Sequence, residues 1–303
     1  MPARSFEVGA VIPIIESGAD RHLPGWLDVR EQARRAEELG FGTIWTPDEL
    51  LWHVEDGPPR GAWDGISMAG AVAAVTSRAK VGTWVLSALH RNPGIIAKTV
   101  ETLDEISGGR FTFGLGAGHA WPRQANAYGL PEDSVFARFD EALEIIVPLL
   151  RDGLANFEGT FHAARDLEQR PRGPRPGRIP LMIGGNGPKG QRLAVRYADV
   201  YSCYVEERAS VEEVGPRIAS LEAACEELGR DPASIGRSVG VWARPLEPAG
   251  ARPGALSGPP EQIADTIRSF RGVGFTQVEL MYLPGTMEAL ELLAPVVEML
   301  HAD

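Results

Sequence analysis

Two glycine-rich turns, a carboxylate pair and one histidine carry the residue types that could do chemistry in this chain. Gly114-Leu-Gly-Ala-Gly-His119 follows an apolar run, and its glycines remove the side chains that would hold a flat ring or a phosphate away from the backbone. Gly184-Gly-Asn-Gly-Pro-Lys189 directly follows another apolar run and precedes a helical stretch through Leu193 and Tyr197. Free amides at such a helix start bind an oxyanion, with Lys189 and Arg192 adding charge; read without context, the same residues make an ordinary tight turn. Thr46-Pro-Asp48-Glu49 ends a strand-like run. A carboxylate desolvated beside an aromatic ring has its pKa raised enough to exchange protons, whereas in a solvated loop the same pair is only helix-start polarity. His119 offers an imidazole that titrates near neutrality, or else a wall residue packed beside Trp121.

Elements at fixed places must position these groups. Apolar runs at 6–15, 43–46, 80–87, 110–114, 179–183, 200–204, 238–243 and 276–282 alternate with amphipathic stretches such as 27–39 and 211–228, the pattern of strands and helices taking turns. Eight such units make a (β/α)8 TIM barrel, an α/β fold; an open doubly wound sheet is the competitor. Within 83–131, Pro93 presets a first helical turn, Ile95, Ile96, Val100, Leu103 and Ile106 recur at helical spacing, and Gly108-Gly109 stops the helix. The alternation is interrupted at about 156–178, where Phe157-Glu-Gly-Thr-Phe161 reads as a hairpin followed by Arg170-Pro-Arg-Gly-Pro-Arg-Pro-Gly-Arg178. That insertion is an exposed connection or a lid over the barrel mouth, and 247–260 has the same two readings. No repeat or second domain is visible, which makes 1–303 a single-domain expectation.

Composition narrows the partners. With 303 residues and 44% hydrophobic content the chain can bury a large core, and a formal charge of −11 gives no basic footprint for nucleic acid or an anionic membrane surface. Cys203 and Cys225 lack disulfide or metal spacing, no closely spaced His or Cys pair suggests a metal site, and no apolar run reaches membrane length. A basic-then-apolar leader pattern is absent, and the expectation is a protein of the reducing cytoplasm. There is no Gly-x-Ser-x-Gly elbow and no complete phosphate-loop signature, which removes the usual warrants for a hydrolase or a nucleoside triphosphatase. Trp52, Trp63, Trp121, Tyr204 and Trp242 fall near strand ends; singly each reads as core, together they favour an apolar or aromatic substrate.

Arg91-Asn92-Pro93, Thr102-Leu-Asp-Glu-Ile-Ser-Gly-Gly-Arg110, Gly114-Leu-Gly-Ala-Gly118 and Ile183-Gly-Gly-Asn-Gly-Pro-Lys189 together resemble the bacterial luciferase-like flavin and deazaflavin oxidoreductases, over residues 6–300. Their order and spacing suit the branch that uses coenzyme F420, a deazaflavin, with FMN as the alternative. The resemblance implies a luciferase-like barrel with insertion loops at its mouth and a homodimer formed through 70–75 and the helix after Pro93. It places the cofactor phosphate at Gly184, Gly185, Asn186 and Gly187, and the ring between Val85 and Gly116, Ala117, Gly118 and His119. Asp48 would lie against the ring. Glu49 stands where relatives often carry a catalytic histidine, and His119 where sugar-phosphate dehydrogenases carry a glutamate proposed as proton donor, which makes both catalytic candidates. Family members also carry a non-prolyl cis peptide bulge on the third strand that supports the ring from behind, which by position joins Trp84 to Val85, with Trp84 and Ser87 beside the cofactor; a bulky Trp84 departs from the pattern, and the other reading is an ordinary strand with Ser87, His90 and Arg91 as rim residues facing ligand or solvent. Rival activities are a monooxygenase using reduced FMN and oxygen, a noncatalytic cofactor-binding protein, and a sugar-phosphate lyase that lacks a strand-end lysine.

Overall fold

A computed structural model describes residues 6–17, 21–54, 57–119 and 121–302. Eight strands form the barrel: β1 (Glu7–Val11), β2 (Thr43–Thr46), β3 (Lys80–Thr83), β4 (Phe111–Gly116), β5 (Leu181–Gly184), β6 (Val200–Tyr204), β7 (Gly236–Arg244) and β8 (Gln277–Tyr282). Each pairs in parallel with the next, and β8 returns to β1 with Gln277 opposite Glu7. The open sheet is therefore excluded, because the β4–β5 and β8–β1 pairings leave the ring no edge. Eight helices cross over outside it: α1 (Trp26–Glu38), α2 (Gly65–Val75), α3 (Pro93–Ile106), α4 (Val135–Arg151), α5 (Pro188–Tyr197), α6 (Val211–Leu228), α7 (Pro260–Gly272) and α8 (Ala294–His301). Among the described residues no helix is long and apolar enough to cross a membrane.

Local signals start α3 as expected: Asn92 caps it by accepting the Gly94 and Ile95 amides, and Pro93 occupies the first turn. Its inward face is narrower than the five periodic residues suggest. Ile96, Val100 and Leu103 are buried, while Ile95 and Ile106 are about half exposed.

The interior of the barrel is a second core, made by Val11, Trp45, Met182 and Val200 with Trp84, Val85 and Met281. Glycines make room for its two indoles. A Cβ on Gly82 would collide with the Trp45 ring, one on Gly9 with Trp45 and Glu279, and one on Gly240 with the Trp84 ring. Gly240→Ala is therefore expected to destabilise the fold by about 1–3 kcal/mol through overpacking, read as a lower urea midpoint.

Glu279 lies in this interior, 1% exposed, with the Ser238 hydroxyl donating to it at 3.0 Å. Burial, and then the nearby Glu7 carboxylate, push its carboxyl from 4.5 up to about 8. A carboxyl raised in the folded state lowers stability as pH climbs from its ordinary value through the raised one. Glu279→Gln should remove that decline, so its thermal midpoint gains on the wild type between pH 5 and pH 9.

The interrupting segment is a hairpin of Leu154–Glu158 paired antiparallel with Ala163–Glu168. Its tip is held by Glu141 of α4, which accepts the Thr160, Phe161 and His162 amides. Below it, Arg172 pairs with Glu101 at 3.0 Å and Arg175 with Asp104 at 2.5 Å, two acids buried on α3. These contacts favour the exposed-connection reading for the basic stretch, which neutralises charge buried on α3, while His162 of the hairpin lines a small cavity with Ala88, Leu89 and Ala117. In the second ambiguous loop, Ala255–Ser257 adds a short parallel strand to the mouth end of β7.

Candidate active site

The candidate site residues lie at or just beyond the carboxyl ends of strands, on one face of the barrel, where loops from several strands converge. Asp48, just past β2, is buried and saturated. It accepts the Ser87 amide at 2.9 Å and both Nη atoms of Arg91, at 2.6 and 2.9 Å, while His90 Nδ1 stands 3.5 Å from its Oδ2. Burial alone would raise its pKa; His90, Arg91 and the Ser87 amide outweigh burial and hold it at about 2. Arg91 also reaches Asp64, whose side chain caps α2. Asp48 is thus an ionised anchor that ties the end of β2 to the segment after β3.

That segment carries the non-prolyl cis peptide between Trp84 and Val85, so 80–87 is not one strand. The ladder resumes at Leu86 and Ser87, which pair with Leu115 and Gly116 of β4. Trp84 turns into the barrel and donates from Nε1 to Ser202 at 3.1 Å. Val85 is wedged between β4 and β5, where a Cβ on Gly114, Gly116 or Gly184 would come within 2.9–3.2 Å of it, and one on Gly118 would strike Ser87. Those glycines first accommodate the chain's own bulge. Ala117, between them, is half-buried against the outer core.

Glu49 is partly buried, and among the described residues no hydrogen-bond donor is seen at its carboxyl. Burial, reinforced by the Asp48 charge, raises it to about 8. His119 stacks on Trp121 with centroids 4.9 Å apart, and His53 and Trp52 complete an aromatic cup around the same indole. His119 is exposed at the rim, and partial desolvation lowers its pKa. At neutral pH the mouth therefore presents a protonated carboxyl and a neutral imidazole beside a fixed ion pair.

The second glycine turn is divided between structure and availability. Asn186 spends its side chain locking the turn to β6: Oδ1 accepts the Tyr204 amide, and Nδ2 donates to the Tyr204 carbonyl and to Glu206. Gly187 begins α5 without a side-chain cap, so the first-turn amides of Lys189 and Gly190 have no intrahelical acceptor, and a Cβ on Gly187 would meet open space. A phosphate fits this cradle through backbone. The expected help from Arg192 is not there, because it pairs with Glu227, and Lys189 lies over Phe136.

Residues 6–244 match the luciferase-like monooxygenase family. The chain belongs to that family. Among relatives of this luciferase-like chain, the F420-dependent glucose-6-phosphate dehydrogenase of Beutenbergia cavernae is 33% identical over 173 residues, 55% of this chain and 49% of that one. The chain thus spans about half the length of that relative. Pyrimidine monooxygenase RutA of Escherichia coli is 30% identical over 240 residues, 75% of this chain and 61% of RutA. In fold, the luciferase-like barrel superposes on an F420-dependent secondary alcohol dehydrogenase in complex with an F420-acetone adduct with a TM-score of 0.78 at 20% identity, covering 99% of this chain and 100% of that one.

Sequence reasoning placed His90 and Arg91 only as rim residues and missed His53 and Gln124. Arg91 stood in a quoted family word; nothing local marks the other two.

Proposed function

We propose that the protein is an oxidoreductase that uses coenzyme F420 to move a hydride to or from a small apolar or aromatic substrate. The observation that carries this reading is Glu49: a carboxyl kept protonated at neutral pH, one residue from an ionised Asp48, at the strand ends where a ring and its substrate would meet. When bound, the deazaflavin supplies the hydride chemistry. The Lys189 and Gly190 amides would hold its phosphate, and Val85 with the Gly116–Ala117–Gly118 turn would back its ring. Glu49 gives or takes the proton that accompanies the hydride, with His119 as a second group able to do so. Trp52, His53 and Trp121 exclude water and favour a flat or apolar substrate over a phosphorylated sugar. Homodimer formation through 70–75 and α3 belongs to the same proposal, and sedimentation velocity decides it.

A monooxygenase using reduced FMN and oxygen is the second reading, favoured by the 30% identity to pyrimidine monooxygenase over 240 residues. Titrating the protein with F420 and with FMN, followed by quenching of tryptophan emission, tests the two. Tight F420 binding and oxidation of reduced F420 by a ketone or aromatic substrate support the first. Absence of F420 binding, with oxygen uptake on adding reduced FMN, replaces it with the second.

A further inference from the structure

The short helix Pro122–Tyr128 carries one almost fully buried polar side chain, Gln124, back beneath the mouth. Its single carboxamide meets three loops. Oε1 accepts the Leu51 amide at 2.9 Å, while Nε2 lies 3.3 Å from His90 Nε2 and 3.5 Å from the His119 carbonyl. Leu51 follows β2 and Glu49; His90 follows the Trp84–Val85 bulge; His119 ends the turn after β4. The loops that carry the site are thus joined through one group.

The orientation of that group has a chemical consequence. A backbone amide only donates, so the carboxamide oxygen belongs at Leu51 and the NH2 faces the two remaining partners. Facing an NH2, His90 Nε2 must present its lone pair, which puts the ring proton on Nδ1. There its facing group is the Asp48 Oδ2 carboxylate, 3.5 Å away, an ion-pair separation too loose for a hydrogen bond, and this buried nitrogen has no hydrogen-bond partner among the described residues. The opposite tautomer would set one lone pair against a carboxylate and one N–H against an NH2.

We propose that Gln124 is a positioning residue that fixes His90 as its neutral Nδ1–H tautomer and so holds three mouth loops in register around Asp48. The charged groups around this imidazole are Asp48 on its Nδ1 side, Arg91 behind Asp48, and the titratable His119 across the cup. A neutral His90 leaves Arg91 as the balancing charge for Asp48 and adds no cation beside Glu49 or His119. The tautomer stands whether or not the chain uses F420; its effect on turnover rests on the proposed function.

Two-bond proton–nitrogen NMR correlations of the ligand-free protein labelled at histidine test the inference directly. The expected wild-type result at pH 7 is the Nδ1–H pattern for His90, identified by its loss in His90→Asn. Gln124→Leu removes the donor and gives a mixture of tautomers. Gln124→Glu keeps an acceptor for Leu51 but turns a second oxygen towards His90, so a proton appears on Nε2 and the pattern with Nδ1–H alone is lost. With an active substrate in hand, the same variant loses kcat more than it raises KM. An Nε2–H pattern in the wild type, or an unchanged His90 pattern in Gln124→Glu, overturns the proposal. Should Gln124→Leu fail to fold, the wild-type pattern and Gln124→Glu still decide.

Discussion

Glu49→Gln is expected to lower turnover by about 10²–10⁴-fold, the usual contribution of a positioned acid or base. The same change should erase the alkaline limb of the pH–rate profile. Burial and the Asp48 charge raise the Glu49 carboxyl to about 8, so it holds a proton at pH 7 and gives it up above pH 8. In the direction in which the substrate gains a proton, the rate is flat below that pH and falls above it; in the reverse direction the profile is mirrored. Glutamine keeps the volume and exchanges no proton. Steady-state rates from pH 5 to pH 10 check this, and a Gln variant that retains the limb near pH 8 would assign the titrating proton to another group. Stability should move the opposite way. A raised carboxyl costs the folded state more as pH climbs from 4.5 through 8, so Glu49→Gln unfolds at a higher temperature than the wild type at pH 9, and the lost rate cannot be blamed on unfolding.

Arg91→Ala should be the most damaging change to stability. It leaves the Asp48 charge buried without its bidentate partner, and removing one member of a buried pair costs about 3–5 kcal/mol. In the wild type Asp48 is held at about 2, below its ordinary 3.8. Its stabilisation is therefore fully present above pH 4 and is lost as pH falls from 4 towards 2. Without Arg91 the carboxyl rises, and acidifying from pH 7.5 to pH 5 should narrow the gap between variant and wild type, because protonation relieves the stranded charge. Urea midpoints at the two pH values measure this. Arg165→Ala is the control: its pair with Glu158 is exposed on both sides, and such pairs contribute only about 0–1 kcal/mol. An equal loss in both variants would mean that burial of Asp48 is not what matters.

Residues that act through local periodicity were legible. The eight apolar runs became the eight barrel strands, and Asn92, Pro93 and Gly108-Gly109 bounded α3 as their chemistry requires. Features that depend on what a distant segment brings were not. The run 80–87 reads as one strand because the bulge is a backbone event, and only the family likeness pointed to Trp84–Val85. Gly114, Gly116 and Gly118 were read only as room for a ligand; Val85 and Ser87, from the segment after β3, also pack where their Cβ atoms would be. Arg172 and Arg175 read as solvent-facing charge, since their acids Glu101 and Asp104 sit 71 residues earlier on a face that looks merely helical. Gln124 has no signature at all: its three partners lie 73, 34 and 5 residues away.

The indoles of Trp45 and Trp84 plug the ring of strands from within. With that plug in place a ligand reaches Val85 from the mouth, and traffic through one mouth is a stack. Whatever settles against Val85 must come in first and leave last, so two-substrate kinetics should follow a compulsory order instead of a random one.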